Sequence, residues 1–140
     1  MRSVRAIAIA FVAVSGYCAA DSLLTPGEYR TEVRIHLPNV QDVAAPLIID
    51  RCLSAEDLAS GRAFFVLSDN PLKNCALRDY QVSANAASYR IVCPGPNRGS
   101  ALGKFETAGS TYRGSIYMNM GGKNMTMSET HIGRRIGECP

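Results

Sequence analysis

Polar and apolar residues alternate with a period of two from Gly27 to Pro38. Tyr29, Thr31, Val33, Ile35 and Leu37 fall on one side, and Arg30, Glu32, Arg34 and His36 on the other. This pattern predicts a strand with one buried and one wet face. Pro38-Asn39 ends it. Pro46 to Arg51, with its Leu-Ile-Ile run, predicts a second strand leading into Cys52. Ser54 to Gly61 then carries the one clear helical signal. Ser54 is placed to cap the amide of Asp57, Glu56 and Asp57 lie at the positive end of the helix dipole, and Gly61 is a natural stop. Phe64 to Leu67 reads as a further strand, and Ser68-Asp69-Asn70-Pro71 as a turn. The remainder reads as hairpins. Cys75 to Ser83 and Ser88 to Cys93 flank Ala84 to Ala87. Ser100 to Thr107 and Thr111 to Met120 flank Ala108-Gly109-Ser110. Gly121 to Asn124 leads to a last strand, Met125 to Arg135. Strands at this spacing with Gly-rich connections predict a mainly β fold. The expected form is a curved antiparallel meander, a partly rolled sheet or half-barrel, with one short helix.

The first twenty residues stand apart from that pattern. Arg2 and Arg5 precede an unbroken apolar run, Ala6 to Val14, and Cys18-Ala19-Ala20 offers small residues before Asp21. This is the layout of a secretory signal peptide cleaved after Ala20. The run is about half the ~20 residues that span a bilayer. Lipidation at Cys18 would put bulky Tyr17 where a small residue is expected. The expected organisation is a signal peptide over 1–20 and a single β-rich domain over 21–140, periplasmic or secreted, with no transmembrane segment in the mature chain. The chain has 15 basic and 12 acidic residues. Loss of Arg2 and Arg5 with the leader leaves 13 against 12, nearly neutral, which gives a nucleic-acid partner no electrostatic support.

Of the five cysteines, Cys18 departs with the leader. Cys52, Cys75, Cys93 and Cys139 remain, an even number suited to an oxidising compartment. No Cys-x-x-Cys pair is present to suggest zinc. Three pairings are possible. Cys75 and Cys93 are related by a centre at Ala84, so an odd-length turn sets them opposite one another on neighbouring strands, within disulfide reach. Cys139 is then left with Cys52.

Several of these features occur in a familiar order: an early Gly27-x-Tyr29 strand, Cys52 followed at once by a short acidic helix, two cysteines on a hairpin, a Met-rich hairpin and a terminal Gly137-x-Cys139. In this the chain resembles an exported bacterial family known as domain of unknown function 3617. The resemblance implies a periplasmic or secreted β-rich domain with no established activity, and offers no catalytic or binding residues to carry over.

The most suggestive chemistry lies in Met118, Met120, Met125 and Met127. A four-residue loop, Gly121 to Asn124, sets Met120 opposite Met125 and Met118 opposite Met127, on one face with His131. Thioethers are soft ligands that suit Cu(I). Methionine is also an adaptable core filler, and Tyr112 and Ile116 share that face, so packing is the leading reading. His36 lies on the polar face of the first strand. Neither His36 nor His131 sits in a recognisable nucleophile arrangement, and no Gly-x-Ser-x-Gly elbow is present. Arg134-Arg135, near Arg113, invites an anionic partner, although arginine at a strand end also serves as a solvated edge. A curved sheet can also enclose an apolar groove.

The functional expectation is a non-enzymatic binding or accessory domain of the cell envelope. It would contact an unknown protein or a small apolar ligand, without a cofactor. A periplasmic Cu(I)-binding protein using the Met hairpin is the first alternative and a hydrolase the second. Export makes a direct prediction: the intact mass of the protein from envelope extracts should correspond to a chain beginning at Asp21. A chain that retains Met1, or a lipid on Cys18, contradicts it.

Overall fold

The computed structural model describes residues 23–140, except 42, 43, 97, 123 and 124. The proposed leader over residues 1–20 therefore lies outside the described residues. Seven strands form one open antiparallel sheet: β1 (Gly27–His36), β2 (Leu47–Leu53), β3 (Ala76–Ser83), β4 (Ala86–Val92), β5 (Ser100–Ala108), β6 (Thr111–Asn119) and β7 (Thr126–Gly137). Their order is β2-β1-β7-β6-β5-β4-β3. The last five strands are the expected meander. The first hairpin does not precede it in space; β1 pairs along β7, bringing the first and last strands together inside the sheet.

This order puts β2 and β3, consecutive in sequence, on opposite edges. The connection from Ser54 to Cys75 must cross the whole sheet, six strand spacings of about 4.8 Å, or on the order of 29 Å. It crosses as a strap over one face. The strap begins with α1 (Ala55–Ser60), which has the expected Ser54 cap: the Asp57 amide donates to Ser54 Oγ at 3.1 Å, and the Ser54 amide donates to the Asp57 carboxylate at 3.0 Å. Gly61 ends the helix at φ 82°, a left-handed conformation that glycine adopts without steric cost. The strand expected at Phe64 to Leu67 does not form. Arg62–Phe64 is a single 3-10 turn, and a second 3-10 turn follows at Pro71–Asn74. The apolar residues of this stretch face the sheet as a lid would, without a neighbouring strand to complete a ladder.

The core lies between strap and sheet. Leu58, Ala63, Phe64, Val66 and Leu72 of the strap are buried against Tyr29, Tyr89, Ile91, Phe105, Tyr112 and Ile116 of the sheet. Phe64 is fully buried, stacked on Phe105 with centroids 5.0 Å apart and edge-on to Tyr112 at 5.4 Å, geometries that aromatic pairs favour. The sheet makes room for these rings with glycine. Tyr89 lies directly opposite Gly103, Phe105 opposite Gly114 and Tyr112 opposite Gly133 on the neighbouring strands. Each ring covers its glycine so closely that a Cβ there would collide with ring carbons.

Two disulfides fasten the strap's ends. Cys52, just before the strap, is bonded to Cys139, with Cα atoms 5.3 Å apart. Cys75, at its far end, is bonded to Cys93, with Cα atoms 5.0 Å apart. In the chain-entropy view, loops closed over 87 and 18 residues are worth about 4.5 and about 3 kcal/mol. The Cys75–Cys93 alignment does not arise from an odd-length turn. The β3–β4 turn is two residues, Ala84-Asn85, and a β-bulge between Arg78 and Gln81 supplies the odd residue. Asp79 sits in that bulge at φ 52°, a left-handed conformation that Asp tolerates better than most residues.

The ring-over-glycine packing predicts that Gly133→Ala destabilises the protein by about 1–3 kcal/mol, the ordinary range for overpacking. Urea unfolding measures it. Unchanged stability would mean that Tyr112 is free to move off the strand.

Candidate functional site

The strap lacks a ladder to satisfy its backbone, and a buried backbone group left unpaired is costly. Side chains of the sheet fill the gap. The Tyr80 hydroxyl donates to the Leu58 carbonyl at 3.0 Å, and the Tyr89 hydroxyl to the Phe64 carbonyl at 2.6 Å. The Arg51 guanidinium donates to the Ala63 carbonyl and, at 3.2 Å, to the Tyr112 hydroxyl. Burial, reinforced by the charge of Glu129, raises the Tyr89 hydroxyl far above the ordinary tyrosine value, so it stays a donor.

Glu129 is the centre of this set. It projects from β7 onto the core side and is fully buried. Its carboxylate accepts from the Leu67 amide at 2.8 Å, the Ser68 amide at 3.2 Å and Ser68 Oγ at 2.5 Å. His131 Nε2, two residues along the same face, lies 2.5 Å from the other side of the pair at Oε1. Burial by itself pushes the Glu129 carboxyl up. The hydrogen bonds from His131, Ser68 and the Leu67 amide outweigh it and hold the group below the ordinary carboxylate value. The His131 ring lies edge-on to Phe105 at 5.6 Å, and its Nδ1 has no partner among the described residues.

This arrangement contains a hydroxyl, a carboxylate and an imidazole, with the carboxylate in the middle. Ser68 Oγ is hydrogen-bonded to the carboxylate and not to the imidazole, which differs from the serine–histidine–carboxylate order of a hydrolytic triad. Its geometry instead holds the middle of the strap.

The other residues singled out from the sequence do not form one site, although the Met hairpin keeps its expected register. In the Met hairpin, Met118 pairs with Met127, and the Met120 amide donates to the Met125 carbonyl at 2.8 Å. Met118 is fully buried, its sulfur 3.7 Å from Asn70 Nδ2. Met120 and Met127 pack on the core margin, and Met125 is 64% exposed. His36 reaches Thr130 Oγ1 at 3.1 Å. The arginines do not act as a cluster: Arg113 is paired with Glu106 at 3.1 Å, while Arg135 donates to the Pro26 carbonyl and to Glu138. Nor do Arg134 and Arg135 guard an edge, since β7 lies between β1 and β6.

The strap covers the core side of the sheet, where the curved sheet would otherwise present an apolar groove. The opposite face carries a trough of about 760 Å³ running across β3 to β7, four strand steps or roughly 19 Å. One wall includes Ala86, Glu106, Arg113 and Ile132; the other includes Gln81, Ser88, Lys104 and Thr130. Its floor is the backbone of the row Ala87, Phe105, Gly114 and His131, whose side chains point into the core or, at Gly114, are absent. Lys104 is exposed at mid-trough. Unlike Arg113 and Arg90, which pair with Glu106 and Asp79, it has no carboxylate partner among the described residues. Sequence reasoning passed over both Glu129 and Lys104. Period-two alternation already placed Glu129 on the apolar side of β7, and a carboxylate there was the available signal.

Fold and site together define a strapped, open-sheet β domain with one packed face and one free face. A family model described as protein of unknown function (DUF3617) matches residues 24–139, and the chain belongs to that family. No curated protein and no solved structure matches it.

The Glu129 network makes a pH-dependent prediction. A carboxyl held below its ordinary value of 4.5 contributes stability that is present above that pH and is lost as pH falls through the folded-state value. Glu129→Gln should cost about 3–5 kcal/mol near pH 7, as breaking a buried pair does. The gap from the native protein should narrow at pH 3. Urea unfolding at the two pH values decides it; an equal gap at both would remove the carboxylate's charge from the account.

Proposed function

We propose that this protein is an exported, non-enzymatic binding domain of the cell envelope. Its free sheet face takes an elongated, hydroxyl-rich ligand bearing an anionic group, of the acidic-saccharide kind. The observation that carries this reading is the trough with Lys104 at its middle. A lone ammonium among already paired arginines offers a place for an anion. The Ser88 and Thr130 hydroxyls and the Gln81 amide beside it can exchange hydrogen bonds with ligand hydroxyls. The floor is backbone of a packed core, so the surface is preformed, which lowers the cost of binding.

Export is supported by the apolar leader of the sequence and by the two disulfides, which persist in oxidising compartments. No helix among the described residues is long and apolar enough to cross a membrane. The trough also exposes apolar surface at Ala86 and Ile132, which suits the apolar ring faces of a saccharide as well as its polar groups suit the hydroxyls. Cu(I) coordination has less to stand on, with Met118 inside the core and its sulfur turned to Asn70.

The test is a titration with a uronic-acid oligosaccharide followed by amide chemical shifts. Shifts should centre on Ser88, Lys104 and Thr130, and Lys104→Glu should weaken binding at least about tenfold, or 1.4 kcal/mol. Shifts confined to the strap, or affinity unaffected by Lys104→Glu, would sink the reading.

A further inference from the structure

The two free edges of the sheet are built differently. An exposed edge offers unpaired backbone groups to any strand that meets it, and proteins guard such edges with bulges and charges. β3 has both: the bulge between Arg78 and Gln81, and Asp79 within it, paired with Arg90 at 3.4 Å. β2 has neither. Its register with β1 is unbroken from Leu47 to Leu53. Its two charged side chains are both turned away from the edge. Asp50 is held over β1 by Arg30, at 2.8 and 2.6 Å, and Arg51 reaches into the core to Ala63 and Tyr112. What remains at the start of the edge is Leu47 and Ile48, 49% and 53% exposed.

We infer that β2 is a pairing edge and that its partner is β2 of a second copy, joined antiparallel about a two-fold axis at Ile48. A two-fold perpendicular to the sheet keeps core side with core side and pairs residues of equal parity. Centred on Ile48, it sets Ile48 against Ile48 and Leu47 against Ile49, apolar against apolar on both faces. Centred on Asp50, it would set Asp50 against itself, like charges that repel. The apolar triplet is therefore self-complementary in a way that fits a second copy. The exposed apolar edge lies at the far end of β2 from Cys52, so the disulfide does not obstruct it. A contact of one strand pair lies at the small end of protein interfaces, so the dimer is reversible. This surface is independent of the trough.

Sedimentation equilibrium of the disulfide-intact mature chain, across a wide concentration range, tests the inference. The native protein should shift from monomer to dimer with concentration. Ile48→Lys should raise the dissociation constant by more than about tenfold. Val82→Lys, on the guarded β3 edge, should leave it unchanged. Amide exchange in the native protein supplies a reading that needs no variant: protection over Leu47 to Asp50 should rise with concentration. A protein that stays monomeric throughout, a dimer that survives Ile48→Lys, or protection that appears at β3 instead would each overturn the inference.

Discussion

A connection that crosses a sheet without joining it has nowhere of its own to send its backbone hydrogen bonds. The strap between β2 and β3 meets that constraint through Glu129, whose buried carboxylate accepts two consecutive amides, Leu67 and Ser68, at the strap's middle. The aromatic core lies beside the same contact, with His131 edge-on to Phe105. Phe64 can stack on Phe105 only if the strap lies at this height above the sheet, and Tyr89 reaches the Phe64 carbonyl only from there. The charge costs free energy to bury, and His131 and Ser68 offset that cost by direct hydrogen bonds. The network thus fixes one position for a segment whose local sequence would accept several.

The strands and α1 were legible in the sequence because each is decided locally. Alternation fixes a strand's buried face, and Ser54, Asp57 and Gly61 fix the limits of the helix. Phe64 to Leu67 was misread because a short apolar run is equally suited to a strand and to a lid, and only the distant edge positions of β2 and β3 choose between them. The β3–β4 bulge was hidden for a similar reason: counting from Cys75 to Cys93 reveals an odd residue but not whether turn or strand holds it. Gly103, Gly114 and Gly133 were a signal available but unused. Glycine inside a strand marks a close approach, and each of these marks an aromatic ring on the next strand. Of the candidate site, the Met hairpin's register was readable. Lys104 was not, because its isolation depends on which neighbours pair with one another.

Filling one face with the strap settles what the other face can offer. The core rings occupy one side of the sheet, so the other side keeps the mixed residues left by alternation, with exposed Ile132, Leu102 and Tyr117 beside Lys104, Glu106 and Arg113. The trough's floor is also the underside of the core: Phe105 and His131 sit directly beneath it. Substitutions in the wall, such as at Lys104 or Ser88, can alter the surface without disturbing packing. Substitutions in the floor cannot, which separates binding from stability along the same strands.

The four cysteines complete this division of labour. Cys52 and Cys75 bracket the strap, and their partners are Cys139 in the C-terminal tail and Cys93 just after β4. The bonds therefore clamp the ends of a segment that no ladder holds, while Glu129 holds its centre. The two devices act on different states. A disulfide stabilises chiefly by restricting the unfolded chain, whereas the Glu129 hydrogen bonds exist only when the strap is docked. A strap with intact ends and a lost centre would stay near the sheet yet lack a fixed height above it, and the stacking of Phe64 would lose its definition. For an open sheet the distinction matters, because Phe105 and His131, whose backbone floors the trough, meet Phe64 of the strap and Glu129 on the other side of the sheet. The backbone that floors the free face thus bears, on its other side, the contacts that Glu129 and the strap make with the sheet.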